Sequence, residues 1–299
     1  MLKKINSVRS FSAIGALSLL AIILYPTTTS AAGPTIRPGT TASFAVLAAT
    51  TITNTGPTTI NGSAGGDVGL SPGTSFTGSS TMTISGVQHI TDATANTAQT
   101  DLVTAFNDIS APVATVRATP ELASQTVTPG TYSTTAGTFT NTGDLVLDAQ
   151  GDASAVFIFQ AASTLITSVG SKMTLANGAQ ACNVYWKVGS SATLGTNSTF
   201  IGKIMALTTI TAESGASIQG QLLARTGAVN LNANTVTNSS CVTPTPVVTP
   251  TPTPKPTPVG TVTGGKLPKT GSPWFNLLAL GAGLILLGSA GFGLKKVVK

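Results

Sequence analysis

One stretch of this chain repeats itself at a spacing that leaves few architectures open. Phe200-Ile-Gly-Lys-Ile-Met-Ala-Leu-Thr208 overlays Ile218-Gln-Gly-Gln-Leu-Leu-Ala-Arg-Thr226 at an offset of 218 − 200 = 18 residues. Gly202 then falls on Gly220, Ile204 on Leu222, Ala206 on Ala224 and Thr208 on Thr226, and a second step of 18 carries Ser217 and Ile218 onto Thr235 and Val236. A period this short, rich in Gly, Thr and alternating apolar residues, reads as one coil of a β-solenoid. Three faces of about six residues each fit such a coil, since strands rise roughly 3.3 Å per residue and turn at small residues.

Alternation within the coil assigns the side chains. Ala192, Leu194, Phe200, Ile210 and Ile218 are expected to face the core, and Ser191, Thr193, Thr199, Thr209, Thr211 and Ser217 to face out. One face departs from the polar-out rule: in Lys203-Ile-Met-Ala206 and Gln221-Leu-Leu-Ala224 the outward Met205 and Leu223 are apolar. A face apolar on both sides is covered by another element, so the chain must supply a lid for one face and leave the others open. The lid is expected as a helix from about Thr91 to Ser110, capped by Thr91, with Asp92 in its first turn. Ala95, Ala98, Leu102, Ala105, Phe106 and Ile109 form its apolar stripe, Asp101 and Asp108 lie off it, and Pro112 prevents continuation.

Strand-like alternation from Ser43 to Thr53 precedes that helix, as does the Gly-dense run from Ile60 to Gly73, which reads as tight solenoid corners. A phosphate-loop reading of those glycines fails, because no helix follows and no lysine is in reach. Thr77 to Ile84 is expected as one short strand. After the helix the β-pattern resumes at Gln125-Thr-Val-Thr-Pro-Gly-Thr-Tyr132 and continues through Leu145 to Gln160 and Asn177 to Gly189, so the helix interrupts the solenoid.

Both ends carry targeting chemistry. Lys3, Lys4 and Arg9 precede an apolar run from Phe11 to Leu24, with small residues Ser30, Ala31 and Ala32 before Gly33, which marks residues 1–32 as a secretory signal peptide. Residues 33–242 form the exported domain, and 243–266 a Thr/Pro-rich stalk with seven prolines from Pro244 to Pro258. Pro-rich chains extend by about 3.1 Å per residue. Leu267-Pro-Lys-Thr-Gly271, then the apolar run from Trp274 to Leu294, then Lys295, Lys296 and Lys299 (residues 267–271 and 272–299) resemble the cell-wall sorting signal of Gram-positive surface proteins. That resemblance implies that a sortase cleaves after Thr270 and passes its carbonyl to a peptidoglycan amine. The roles fall to Leu267, Pro268, Thr270 and Gly271. The apolar run and basic tail hold the precursor at the membrane until then.

The net charge of +6 belongs to these ends. Between Gly33 and Thr243 there are six bases (Arg37, Arg117, Lys172, Lys187, Lys203, Arg225) and nine acids (Asp67, Asp92, Asp101, Asp108, Glu121, Asp144, Asp148, Asp152, Glu213), a balance of 6 − 9 = −3. No basic patch argues for nucleic acid, and so sparsely charged a surface suits a neutral partner. Cys182 and Cys241, the only cysteines, are expected to form a disulfide in an exported chain. Closing the intervening loop would stabilise by roughly 4 kcal/mol in the chain-entropy model. No cofactor is expected, and two cysteines with a distant His89 do not make a metal site. Asp144, Asp148 and Asp152 are the one close acidic cluster, at turn-like spacing, and His89 has no nucleophile beside it; no nucleophile elbow or zinc motif appears, and an enzyme is not expected.

Asp67-Val-Gly-Leu-Ser-Pro-Gly73, Leu145-Val-Leu-Asp-Ala-Gln-Gly-Asp152, Ala155-Val-Phe-Ile-Phe-Gln160, Asn177-Gly-Ala-Gln-Ala-Cys-Asn-Val-Tyr-Trp186 and Val188-Gly-Ser-Ser-Ala-Thr-Leu-Gly195 resemble the bacterial and fungal ice-binding proteins of the solenoid-plus-helix type, over roughly Thr40 to Thr237. The resemblance implies an all-β-dominated fold: a right-handed, discontinuous β-solenoid of triangular cross-section with one long α-helix along one face, adsorbing to ice through a flat open face. The residues agree with such a partner. Ice presents a flat, neutral lattice, and Thr offers a fixed χ1, a methyl and a hydroxyl. Ser191, Thr193, Thr209 and Thr211 are the first candidates for ice contact, then Thr199, Ser217 and Thr235 on the adjacent face. Thr135-Ala-Gly-Thr138 resembles a Thr-Ala-X-Thr pattern on the ice face of some family members. The expected product is a monomeric surface protein, wall-linked through Thr270, that limits ice growth or holds the cell to ice. The alternative is a sortase-anchored adhesin for a glycan or protein, which the low aromatic content of 5% disfavours.

Overall fold

The 18-residue offset reappears as hydrogen-bonded register. In the computed structural model, which describes residues 34–117 and 119–243, Thr199–Ala206 runs parallel to Ser217–Ala224 with Gly202 opposite Gly220, Ile204 opposite Leu222 and Ala206 opposite Ala224. Ser217 and Ile218 in turn lie opposite Thr235 and Val236. Every strand pair among the described residues is parallel.

Each coil contributes to three ladders. The first is a separate seven-stranded sheet, ordered Phe139–Asn141, Leu165–Thr167, Ala192–Leu194, Ile210–Ala212, Val229–Asn232, Thr51–Thr55 and Ser75–Thr77. The second includes Asp144–Asp148 and Lys172–Ala176 and continues through the first halves of the two long strands to Thr235–Thr237, Thr58–Asn61 and Met82–Ile84. The third includes Gly130–Thr134, Phe157–Ala161, Val184–Val188, the second halves of the long strands, Phe44–Ala48, Asp67–Leu70 and Gln88–Ile90. Thr199–Ala206 and Ser217–Ala224 therefore pass round a corner within one strand. Gly202 makes that bend at φ 114°.

Ladder order departs from chain order at one place. The coil opened by Val229–Asn232 and Thr235–Thr237 is completed on the third ladder by the N-terminal strand Phe44–Ala48, whose Val46 pairs with Leu222. Thr51–Thr55 and Thr58–Asn61 then stack on the C-terminal strands. The solenoid is discontinuous, its N-terminal strands stacked on its C-terminal ones.

The helix α1, Ala93–Asp108, is the one α-helix among the described residues and is the expected lid. Its Ala98, Leu102, Ala105 and Phe106, with Ile109 beyond its end, pack on Phe44, Leu47, Ile158, Tyr185, Met205 and Leu223, all buried. Sixteen residues span about 24 Å at 1.5 Å per residue, roughly five strand spacings, so one helix covers most of a ladder. Leu102 is fully buried between helix and sheet. Leu102→Ala is expected to lower stability by about 2–5 kcal/mol in urea unfolding. The two off-stripe aspartates clamp the chain's entry: Asp108 accepts from Arg37 Nη2 at 2.6 Å and from Arg37 N at 2.9 Å, and Asp101 accepts from Thr40 N at 2.7 Å.

Three sequence expectations are corrected. Asp92, not Thr91, caps the helix, its carboxylate accepting from Ala95 N at 2.8 Å, because Thr91 turns the chain at φ 54° one residue earlier. Thr77 to Ile84 is not one strand: Ser75–Thr77 and Met82–Ile84 belong to different ladders, separated by a 3₁₀ turn at Ser79–Thr81. The alternating run from Ser43 also divides, at a corner where Ala49 N and Thr50 N both donate to Gly227 O. Alternation persists round such tight corners, so it does not mark them.

Cys182 and Cys241 are joined by a disulfide, Cα atoms 5.4 Å apart. The segments expected as signal peptide and sorting motif, and as stalk beyond residue 243, lie outside the described residues.

Candidate functional site

The inward column of the seven-stranded sheet (Phe139, Leu165, Ala192, Ile210, Val229, Ile52) is buried and apolar. The pleat then sends the neighbouring residues out. One outward column reads Thr140, Ile166, Thr193, Thr211, Asn230, Thr53 and Thr77 in register. Two residues earlier in each coil lie Thr138, Thr164, Ser191, Thr209, Ala228, Thr51 and Ser75, the first five just ahead of their strands. None of the seven strands contains a charged residue. Thr193, Thr211 and their column neighbours present short side chains about 4.7–4.9 Å apart across the strands.

Hydroxyl contacts link neighbouring coils along this side. Thr138 Oγ1 and Thr164 Oγ1 are 3.2 Å apart, Ser191 Oγ and Thr208 Oγ1 are 2.8 Å apart, and Asn230 Nδ2 donates to Thr211 Oγ1 at 3.4 Å. At the end of the sheet Glu121 accepts from Thr140 Oγ1 at 2.9 Å. Burial pushes the Glu121 carboxyl up, but the main-chain N–H groups of Thr142, Ala123 and Leu122 together with the Thr140 hydroxyl outweigh it and hold the group below its usual value.

The structure thus places Ser191, Thr193, Thr209, Thr211 and Thr138 on one surface. Thr135 lies in the exposed turn leading into it. Thr199, Ser217 and Thr235 form a separate column with Thr59 and Thr83 on the second ladder. That ladder is less uniform. Its column continues to Lys172, opposite Asp144, and its next outward positions include Gln219 and Asn61. Long or charged side chains carry rotamer freedom and bound water that a rigid surface must shed.

Thr51, Thr53, Thr77, Ser75, Thr140 and Thr164 belong to the same sheet surface and escape the 18-residue repeat. The step from Thr53 to Thr77 is 77 − 53 = 24 residues, and the N-terminal strands follow the C-terminal ones in space. The one available signal is local: Ile52-Thr53 and Phe76-Thr77 keep the apolar-Thr pairing of Ile210-Thr211.

Two members of the acidic cluster, Asp148 and Asp152, are structural. Asp148 accepts from Gln150 N at 2.8 Å and Asn177 Nδ2 at 2.9 Å, and Asp152 from Ser154 Oγ at 2.6 Å and Ser154 N at 2.8 Å. These bonds hold both carboxyls below their usual value, the opposite of what a general acid needs. His89 Nδ1 is 2.6 Å from Asp92 Oδ2 and its ring lies against Phe44, at the helix entry. Trp186 stacks on Phe159 at 4.0 Å and donates to Ile201 O, a packing role. Among the described residues no group of three His, Cys, Asp or Glu could hold a metal.

The side-chain hydrogen bond and ion pair from Arg37 hold the Asp108 carboxyl below its ordinary value. A depressed carboxylate stabilises the fold above its unfolded pKa and loses that contribution as pH falls through the folded pKa. Asp92, Glu121, Asp148 and Asp152 shift the same way. The melting temperature is therefore expected to fall progressively below the usual carboxylate range and to stay level from there to neutral pH. Thermal melts from neutral to strongly acidic buffer check this.

A stack of parallel coils with one hydroxyl-lined side, whose seven strands carry no charged residue, defines a surface-binding protein. A family model for ice-binding-like proteins matches residues 46–237, and the chain belongs to that family. It is 40% identical over 225 residues to an ice-binding protein of Nostoc sp. (strain HG1), covering 75% of this chain and 81% of the relative. An ice-binding protein of Flavobacterium frigoris (strain PS1) is 36% identical over 217 residues, 67% of this chain and 75% of its own. The crystal structure of an ice-binding protein from the Antarctic ascomycete Antarctomyces psychrotrophicus aligns with a TM-score of 0.65 at 42% identity, covering 69% of this chain and 98% of that one. The family is one of binding proteins, and this chain is not an enzyme.

Proposed function

We propose that this chain adsorbs to ice through its seven-stranded sheet, with Thr193 and Thr211 at the centre of the contact and Ser191, Thr209, Thr138, Thr164, Thr51 and Thr53 around them. The observation that carries the reading is the absence of charge from seven in-register strands whose outward columns are mostly Thr and Ser. Each contact with a lattice of water is weak, so area, flatness and prior rigidity carry the affinity. Thr199, Ser217 and Thr235 then flank the contact. A right-handed coil of triangular section suits three ladders per turn with one covered by helix. Adsorbed molecules would inhibit ice growth or recrystallisation; the test is thermal hysteresis and recrystallisation of dilute solutions of residues 34–243 against an inert protein of equal mass.

We further propose that the chain is exported, cut after Thr270 within Leu267-Pro-Lys-Thr-Gly271 and linked to peptidoglycan by a sortase, so that the domain is held at a cell wall. The exit of the described chain supports this arrangement. Val242 N donates to Gln180 Oε1 at 2.6 Å and Gln180 Nε2 donates to Ala153 O, beside the Cys182–Cys241 bond. That corner joins the second and third ladders, away from the seven-stranded sheet. Thr270→Ala is expected to move the protein from the wall fraction to the membrane fraction of a Gram-positive host carrying a sortase. Unchanged wall linkage would rule out Thr270 as the anchor.

A further inference from the structure

The corner joining the seven-stranded sheet to the second ladder recurs in each coil, and its interior is not closed in the same way throughout. Asn54 and Asn141 both occupy inward positions at the end of a strand of that sheet, Asn54 opposite Leu231 and Asn141 opposite Thr167. Asn54 is fully bonded: Nδ2 has two protons for three acceptors within reach, Gly56 O at 2.9 Å, Gly78 O at 3.1 Å and Thr81 Oγ1 at 3.0 Å, while Oδ1 accepts from Thr58 Oγ1 at 2.6 Å. Asn234 closes its corner likewise, donating to Glu213 O at 2.8 Å and accepting from Asn232 N at 2.6 Å. Asn141 is 0% exposed, yet neither Oδ1 nor Nδ2 has a partner.

Two more orphans lie on the following corners. Ser171 Oγ and Ser198 Oγ are buried, at 2% and 1% residue exposure, and without partners. Main-chain bonds string the three corners together: Ser168 N donates to Asn141 O, Ser171 N to Ser168 O, and Thr199 N to Ser171 O. The residue preceding the second-ladder strand is Gly143, Ser171, Ser198 or Ala216 in successive coils, small where later coils place Asn234 and Thr58. Buried amides and hydroxyls are almost always satisfied, by protein or by ordered water.

We propose that this corner is a binding site for a short file of buried water molecules, held by Asn141, Ser171 and Ser198. The orphaned atoms are neutral and offer both donors and acceptors, which suits water and not an ion. The file does for these coils what Asn54 and Asn234 do for the others. It fixes the corner one residue from Thr140 and so keeps the coils carrying Thr140, Ile166 and Thr193 in plane.

The test uses residues 34–243, a unit that stands alone because a solved relative matches it over 98% of its own length. A high-resolution crystal structure is expected to show ordered water within hydrogen-bonding distance of Asn141 and of both serine hydroxyls. Water-oxygen-17 relaxation dispersion is expected to count fewer long-lived waters in Ser171→Ala/Ser198→Ala than in the parent, at unchanged circular dichroism. An Asn141 amide bonded to main chain with dry density around both serines, or an equal count of long-lived waters in the folded double variant, overturns the proposal. If the double variant does not fold, the parent's density decides alone.

Discussion

Thr193→Tyr and Thr211→Tyr are each expected to abolish thermal hysteresis while leaving the melting temperature close to that of the parent. Both residues point out from the centre of the seven-stranded sheet, opposite one another in adjacent coils. Neither side chain contributes to the core, whose nearest members are Ala192, Leu194, Ile210 and Ala212. Both are half-buried but outside the core, and surface substitutions of that kind change stability by about 0.5 kcal/mol or less. The effect on adsorption is of another order. A tyrosine ring stands above neighbours that are Thr, Ser, Ile and Asn, so it lifts the surface from a flat lattice and forfeits many weak contacts at once. Thr199→Tyr, on the second ladder, is the matched control and is expected to retain most of the hysteresis. Loss with Thr199→Tyr and retention with Thr211→Tyr would move the contact to that ladder.

Gly202→Ala is expected to be strongly destabilising for a single added methyl, costing about 3 kcal/mol or more and lowering the melting temperature by roughly 10 °C. Gly202 has φ 114°, where a side chain is sterically excluded. A Cβ there would lie 2.7 Å from Val184 Cγ1 and 2.8 Å from Trp186 Nε1. Neither neighbour can retreat cheaply, because Trp186 is stacked on Phe159 and bonded to Ile201 O at 2.9 Å. Gly220, opposite Gly202, meets the same crowding from backbone: its Cβ would approach Gly202 O to 1.8 Å. The repeat thus keeps glycine at both positions because long strands turn a corner there, with neighbouring coils in contact. Differential scanning calorimetry of Gly202→Ala against the parent checks the shift.

The fold was legible where neighbouring coils repeat one local pattern. Gly202/Gly220 and Ser217/Thr235 announced the register, and apolar Met205 and Leu223 announced the covered face that α1 occupies. The wrap of Phe44–Ala48 onto the C-terminal coil was not legible. Nothing local in Phe44-Ala-Val-Leu-Ala48 specifies a partner 222 − 46 = 176 residues away, Leu222 opposite Val46. That wrap decides the extent of the candidate surface: it adds Thr51, Thr53 and Thr77 beyond Asn230. Corners were misplaced for a related reason. Gly69 lies in a dense glycine run but inside the strand Asp67–Leu70, where its missing side chain makes room for Phe44 and Leu47, a tertiary demand that no turn pattern encodes.

The central claim is that the uncharged sheet itself meets ice. The most direct measurement grows an ice hemisphere in a solution of fluorescently labelled residues 34–243, the label attached away from the seven-stranded sheet. The parent protein is predicted to enter the ice and Thr211→Tyr, folded by circular dichroism, to be excluded from it. Exclusion of the folded parent would contradict ice adsorption by this chain, and equal incorporation of both would contradict the assignment of the face.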